Sequence, residues 1–214
     1  MKTVDPIFSR IIDEQSSTGA TKIRQNLIRK IQDLTGRKLI VYTASISHPM
    51  AGIIQQDIPL FEDLLRFPSD IISGDLMINS PGGDPNAAEK ILMMCRERFS
   101  AEFNVIVPNY AKSAATMIAL GADKIYMGYL AELGPIDPQI PIVLPTGQVQ
   151  LIPARAYIGG LDSIRDRILK RKEPVQIFLP ILSQIRPDVL RFCEDAIDNS
   201  REFAEKWLKA GMLK

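Results

Sequence analysis

Histidine and cysteine are scarce in this sequence of 214 residues, which contains one His and two Cys. With His48 as its single histidine, the chain cannot form a histidine-rich metal site. Any Ser/His or Cys/His catalytic pair must use this residue. Cys95 and Cys193 lie in helical patterns without a partner at metal-ligand spacing, so we expect buried free thiols in a reducing compartment. No Gly-x-Gly-x-x-Gly follows a predicted strand, and we therefore expect no cofactor and no metal.

An excess of charge of one sign and long apolar runs are also missing. The 26 Lys and Arg nearly balance 25 Asp and Glu, a formal net charge of +1 that recruits neither nucleic acid nor an anionic membrane. No window approaches the roughly 18 to 20 apolar residues of a membrane span, and the N-terminus has no signal-peptide core. We expect a soluble, cytoplasmic protein with no nucleic-acid partner and no membrane span.

The composition, 46% hydrophobic and 24% charged, is typical of a folded globular chain. No internal repeat or long polar linker divides the sequence. We expect one domain over residues 1–214, with an N-terminal helical segment over 1–36, a core over 38–155 and C-terminal helices over 156–214.

Strand and helix patterns alternate along the predicted core. Runs of β-branched and apolar residues predict strands over 38–45, 75–79, 104–110 and 124–128. Apolar spacing of three and four residues predicts helices over 7–34, 58–67, 85–99 and 111–121. A hairpin is predicted over 140–152, and further helices follow it over 164–172, 175–185 and 188–213. The alternation predicts an α/β fold of parallel strands joined by right-handed crossovers.

Two strand-to-helix junctions carry residues suited to acyl transfer. In Ser80-Pro81-Gly82-Gly83, the glycines permit a turn that aims backbone N–H groups at a ligand. Ser113 begins the helix after the next strand, where the helix dipole favours a developing negative charge. Taken separately, the glycines also fit a structural turn and Ser113 fits a helix cap. Together they place a nucleophile beside an oxyanion hole.

Three blocks, residues 78–83, 111–123 and 133–139, closely resemble the serine dehydrogenase proteinase family. That family belongs to the Clp-protease/crotonase superfamily and is related to the signal peptide peptidase A group. The resemblance runs in order over residues 38–139 and more loosely to the C-terminus. It implies a Clp-protease/crotonase-like spiral core of parallel strands with crossover helices, a helical C-terminal region, and assembly into homo-oligomers.

The resemblance also implies roles for particular residues. Ser113 matches the nucleophile, and the N–H of Ala114, with one from the Gly82-Gly83 turn, matches the oxyanion hole. The histidine base of the Clp proteolytic subunit has no counterpart, because residue 138 is a proline and no His follows Ser113. A lysine takes the proton in signal peptide peptidase A, so Lys170 and Lys172 are candidate bases in the later chain.

Other interpretations stay open at these positions. His48 is another candidate base, since its loop follows the first strand and can share an edge of the sheet with Ser113. The basic run around Lys170 also fits an exposed helix face, and Asp137 fits either a residue that orients a base or a turn residue.

The leading hypothesis is a serine peptidase that cleaves peptide bonds through Ser113 with a non-standard base, preferably a lysine. The alternative is an inactive Clp-protease-like assembly module, and a third possibility is thioester chemistry of the crotonase kind. The implied partners are a peptide or protein substrate, further copies of the chain, and an ATPase or adaptor of unknown identity.

Overall fold

The computed structural model describes residues 17–45, 51–143 and 146–214. The strands, in chain order, are β1 (Lys38–Thr43), β2 (Ser73–Asn79), β3 (Glu102–Val107), β4 (Tyr110–Ala111), β5 (Lys124–Met127), β6 (Glu132–Leu133), β7 (Gln139–Val143) and β8 (Val149–Pro153). The helices are α1 (Ser17–Thr35), α2 (Asp57–Leu64), α3 (Pro85–Arg98), α4 (Ala114–Leu120), α5 (Ala154–Leu169), α6 (Leu179–Leu182) and α7 (Pro187–Ala210), with a 3-10 turn at Val175–Ile177. The predicted helical residues 7–16, His48 and the hairpin residues 144 and 145 lie outside the described residues.

The main sheet is parallel, and its strands are neighbours in the order β1, β2, β3, β5. Leu76 and Ile78 in β2, and Phe103, Val105 and Val107 in β3, are fully buried. Asp75 and Asn104, whose side chains point to the opposite face of the sheet, are fully buried as well. Burial on both faces is typical of central parallel strands that have helices on both sides. The α/β fold predicted from the sequence is therefore confirmed.

Helix α3 starts where the capping pattern predicts. The Asp84 carboxylate accepts hydrogen bonds from the N–H groups of Asn86, at 2.8 Å, and Ala87, at 3.4 Å, while Pro85 occupies the first helical position. One face of the helix is fully buried and consists of Ala87, Ala88, Ile91, Leu92 and Cys95. This packing fixes the helix directly behind the Gly82-Gly83 turn.

Arg98, at the end of α3, holds the loop between α2 and β2. Its guanidinium donates hydrogen bonds to four backbone carbonyl groups, those of Leu65, Phe67, Pro68 and Ile71. It also lies 4.2 Å from the centre of the Phe67 ring. Because one planar guanidinium satisfies several carbonyl groups at once, we expect this contact to stabilise the fold strongly.

The C-terminal region differs from the predicted pattern in two places. Helix α5 begins at Ala154 rather than at residue 164. The fully buried Ala154 packs with Ile140 and Cys193 and stabilises this earlier start. The sequence did not predict it, because Gly159 and Gly160 interrupt the apolar spacing. The single helix predicted over 175–185 is a 3-10 turn followed by the short α6. Pro180 explains this break, since a proline is accommodated in a first helical turn but not inside a continuous helix.

Helix α7 joins the C-terminal region to the main core. Phe203 and Trp207 belong to the apolar cluster that packs on the parallel sheet, whereas Cys193 packs with the β7–β8 hairpin. Cys95 and Cys193 are both buried and free, as the sequence predicts. None of the helices that the structure describes is long and apolar enough to cross a bilayer.

Candidate active site

Ser113 lies between β4 and α4 in a backbone conformation that is rare for a residue with a Cβ. Its φ is 47° and its ψ is −118°. Such conformations cost on the order of 1 to 3 kcal/mol and occur mostly at functional sites. Ser113 occupies the N-cap position of α4, yet its side chain makes no capping hydrogen bond. Helix capping therefore does not explain this serine.

The Gly82-Gly83 turn touches the Ser113 segment. A Cβ on Gly82 would lie 2.7 Å from the carbonyl oxygen of Lys112 and 2.8 Å from the Cβ of Ser113. Gly82 and Gly83 have φ values of 108° and 144°, which favour glycine. Only a residue without a side chain lets the two strand-to-helix junctions approach this closely.

Backbone hydrogen bonds hold the two junctions in register. The N–H of Ser80 donates to the carbonyl of Tyr110 at 3.1 Å, and the N–H of Lys112 donates to the carbonyl of Ser80 at 3.0 Å. On the other side of the turn, the N–H of Ile53 donates to the carbonyl of Gly82 at 2.7 Å. The turn is thus fixed from both sides.

Two N–H groups at the junctions have no hydrogen-bond acceptor among the described residues. Within the described part of the chain, the N–H groups of Gly83 and Ala114 donate no hydrogen bond. The N–H of Gly82 donates to Ser80 Oγ at 3.2 Å. Within the turn, the N–H of Gly83 is therefore the one left without a partner, as is the N–H of the buried Ala114.

The third sequence block meets the Ser113 segment through a buried threonine. The hydroxyl of Thr116 lies 2.7 Å from the carbonyl oxygen of Ala111 and 2.9 Å from that of Gly134. The N–H of Gly134 also donates to the carbonyl of Ala111 at 2.8 Å. The three blocks that carry the family resemblance therefore meet around Ser113.

A cleft of about 1040 Å³ opens beside Ser113. Gly83, Ser113, Met117, Ile136 and Asp137 belong to its lining. Helix α7 supplies a large part of the remaining wall, with Phe192, Asp195, Asn199, Glu202, Phe203 and Lys206. A cleft of this size accommodates several residues of an extended chain.

A profile of ClpP-like SDH-type serine proteinases matches residues 21–169. The chain belongs to this family. The match confirms the family and the Clp-protease-like fold that the sequence blocks predict. Membership of the SDH-type proteinase family associates the chain with serine-type peptide hydrolysis.

Two curated proteins of Methanocaldococcus jannaschii are similar to parts of the chain. The uncharacterized protein MJ1495 is 35% identical over 129 residues, which cover 55% of this chain and 42% of that protein. The uncharacterized protein MJ0137 is 52% identical over 66 residues, which cover 31% of this chain and 23% of that protein. The chain thus spans less than half the length of these relatives.

Two solved structures of the 1510-N membrane-bound stomatin-specific protease are also similar. A serine-to-alanine mutant gives a TM-score of 0.40 at 17% identity and covers 65% of this chain and 64% of that chain. A lysine-to-alanine mutant in complex with a substrate peptide gives a TM-score of 0.38 at 23% identity and covers 59% of each chain.

Of the candidate bases named from the sequence, Lys170 and Lys172 do not lie at the cleft of this SDH-type proteinase. Lys170 Nζ lies 2.8 Å from Asp166 Oδ2 at the exposed end of α5, and its side chain is 74% exposed. Lys172 is exposed as well, and neither lysine belongs to the lining of the Ser113 cleft. His48 lies outside the described residues. Their roles stay predictions.

A lysine that the sequence reasoning missed does line the cleft. Lys206, on α7, places its Nζ 2.8 Å from Glu89 Oε1 and 4.8 Å from the centre of the Trp207 ring. The Trp207 indole N–H also donates to Glu89 Oε1, at 3.3 Å. Lys206 and Glu89 are 117 residues apart, and no sequence motif predicts a pairing over that distance.

A further acidic residue, Asp137, lines the cleft, and another, Asp84, lies next to Gly83 at the start of α3. Asp137 Oδ1 is buried and accepts no hydrogen bond from the described residues, and Arg155 Nε lies 3.7 Å from it. Burial alone would raise the pKa of Asp84, but hydrogen bonds from the Gln55 side chain and from the N–H groups at the start of α3 hold that pKa below its ordinary value. Asp84 therefore stays ionised and fixes the helix behind Gly83.

Proposed function

We propose that this SDH-type proteinase is a serine peptidase that cleaves peptide bonds through Ser113. The supporting observation is that Ser113, in a strained backbone conformation, lies on one cleft with Gly83, beside the two available N–H groups of Gly83 and Ala114. Ser113 Oγ attacks the carbonyl carbon, and the two N–H groups donate hydrogen bonds to the oxyanion of the tetrahedral intermediate.

The proposed base is a lysine. Lys206 fits best among the lysines of the described residues, because it lines the same cleft as Ser113. Its ammonium is paired with Glu89, so this pair must open and the ammonium must release a proton to solvent before the resulting amine takes the proton from Ser113 Oγ. Lys170, Lys172 and His48 are the alternatives that the sequence offers.

The nucleophile is tested by hydrolysis of peptide and ester probes. We expect Ser113→Ala to lower the hydrolysis rate by about a thousandfold or more, because the covalent step is lost. Ser163→Ala is the matched control, since Ser163 is exposed on α5 and does not line the cleft. Unchanged hydrolysis by pure Ser113→Ala protein would remove the basis of the proposal.

The base is tested by comparing Lys206→Met with Lys170→Met, Lys172→Met and His48→Ala over a pH series. We expect Lys206→Met to abolish the rise in rate with pH and Lys170→Met and Lys172→Met to keep it, because neither of these two lysines lines the Ser113 cleft. His48→Ala tests the remaining candidate. If Lys206→Met keeps the rise of the hydrolysis rate with pH and another variant loses it, the residue replaced in that other variant is the base.

The second candidate function is an inactive assembly module. It is favoured by one observation: within the described residues, no side chain forms a hydrogen bond with Ser113 Oγ. A protein that neither hydrolyses peptide and ester probes nor reacts with serine-directed reagents at any pH fits this function.

We also propose that the chain assembles into homo-oligomers, acts on a peptide or protein substrate, has an ATPase or adaptor partner and is located in the cytoplasm.

A further inference from the structure

The two sides of the cleft come from different parts of the chain. Gly83 and Ser113 lie within residues 21–169, which match the family profile, whereas α7 begins at Pro187. The wall formed by α7 therefore lies outside the segment that the family profile matches. A wall that faces the nucleophile without carrying it contacts the substrate side chains, and such contacts distinguish one substrate from another.

Helix α7 is held rigidly enough to act as a binding wall. Phe203 and Trp207 are each only 8% exposed and pack into the main core. Glu89 on α3 accepts from both Lys206 and Trp207, at 2.8 Å and 3.3 Å. The side chains that α7 presents to the cleft therefore stand on a fixed support.

The charge of the cleft lining is negative. Its one lysine, Lys206, is already paired with Glu89. Glu202 has no ion pair within the described residues. Asp137 Oδ1 is buried and accepts no hydrogen bond from these residues, and Arg155 Nε lies 3.7 Å from it. Asp195 pairs with Arg191 at 2.8 Å, but that pair is largely exposed to solvent. A cationic ligand group gains from these carboxylates, and an anionic group is repelled.

Helix α7 also carries an exposed aromatic ring at the cleft. Phe192 lines the cleft and remains 59% exposed, a large apolar surface beside the charged groups. Met117 and Ile136 add apolar surface to the lining near Ser113. Binding of an apolar side chain removes this surface from water, which favours association.

We propose that the α7 wall selects peptide segments in which a lysine or arginine stands next to a large apolar residue. Glu202 and Asp137 bind the cationic side chain, and Phe192 contacts the apolar one. This selection rests on the proposed function in so far as the ligand is a peptide, but it concerns binding and does not require that Ser113 reacts.

The test is peptide binding to the Ser113→Ala protein, measured by fluorescence anisotropy. Two labelled short peptides are compared, identical except that one carries Lys and the other Gln beside a phenylalanine. We expect the Lys peptide to bind about fivefold or more tightly at low salt, and the difference to shrink as salt screens the charges.

Substitutions in the cleft lining test whether its acidic residues cause the tighter binding of the Lys peptide. Glu202→Gln with Asp137→Asn is expected to bring the two peptide affinities together, whereas Glu205→Gln leaves the difference intact. Glu205 is the matched control because it lies on the same helix, pairs with Lys209 at 3.9 Å and does not line the cleft. Phe192→Ala is expected to weaken both peptides equally.

Equal affinity of the two peptides, weaker binding of the Lys peptide, or no binding of either peptide overturns this proposal. Persistence of the Lys preference in the Glu202→Gln, Asp137→Asn protein also overturns it. If Ser113 of the wild-type protein does not react but the Lys peptide still binds more tightly, only the peptidase function is refuted. The two failures are therefore distinguishable.

Discussion

Replacement of Gly82 by alanine is the substitution that most sharply tests the geometry around Ser113. At φ 108° the backbone of Gly82 is unfavourable for any residue with a Cβ, and this strain alone costs on the order of 1 to 3 kcal/mol. The added Cβ would also lie 2.7 Å from the carbonyl oxygen of Lys112 and 3.2 Å from the N of Ala114. These are backbone atoms, so a side-chain rotation cannot relieve the contact.

The turn and the Ser113 segment must therefore separate in Gly82→Ala. A displacement of roughly 1 Å at a catalytic centre commonly costs about a hundredfold in rate. We expect the rate of Ser113 modification by a fluorophosphonate to fall by about that factor, and the free energy of unfolding to fall by about 2 to 4 kcal/mol. The rate is measured by mass spectrometry and the stability by urea unfolding.

Gly36→Ala is the control for backbone strain alone. Gly36 has φ 68°, and a Cβ there would meet no atom within 4 Å. This variant is expected to lose about 1 kcal/mol of stability and to keep the wild-type labelling rate. If Gly82→Ala labels as fast as Gly36→Ala and unfolds at the same urea concentration, the close approach of the two junctions is refuted.

Three further predictions concern the support of the site. Asp84→Ala should cost about 1 kcal/mol at pH 7, because the cap is lost. Since the folded pKa of Asp84 is lowered, its contribution is present above the unfolded pKa of about 3.9 and disappears as the pH falls through the folded value, so unfolding curves of the two proteins should converge in strong acid. Arg98→Lys should destabilise by about 2 to 3 kcal/mol in urea unfolding, because an ammonium cannot satisfy the four carbonyl groups together; wild-type stability contradicts this. Burial raises the pKa of Cys95 to about 12 and also raises that of Cys193, so neither thiol should react with a disulfide reagent until the protein unfolds, and rapid reaction of the native protein contradicts the buried placement.

The elements that the sequence predicts well are those with strong local signals. Central strands of a parallel sheet are buried on both faces, so β2 and β3 are visible as apolar runs. Asp84 and Pro85 mark the start of α3 because capping depends on adjacent residues only. The pair of junctions at Gly82 and Ser113 was predictable because the carboxyl ends of neighbouring parallel strands meet at one edge.

The features that escaped prediction depend on contacts between distant segments. The early start of α5 is stabilised by the packing of Ala154 against the hairpin and Cys193, which no local pattern encodes. Lys206 reaches the cleft because α7 packs on α4 and is hydrogen-bonded to Glu89 of α3. Lys170 and Lys172 were chosen by their distance along the chain from Ser113. Sequence separation is a poor guide to which later residues reach the cleft.

The unusual backbone of Ser113 also lay beyond the sequence. The residue type and position fitted a helix cap equally well, and only the φ of 47° with an unbonded hydroxyl distinguishes the two interpretations. Strain of this kind persists because the surrounding contacts hold it, here the Gly82 approach and the hydrogen bond from Lys112 N–H to Ser80.

Intact-mass spectrometry after incubation with a fluorophosphonate tests the central claim, that Ser113 is an activated nucleophile, most directly. Wild-type protein and Ser113→Ala are treated in parallel from about pH 6 to 9.5, a range that spans histidine and lowered lysine pKa values. We predict one adduct on the wild-type protein and none on Ser113→Ala. An unmodified wild-type protein at every pH, or an equal adduct on both proteins, contradicts the claim.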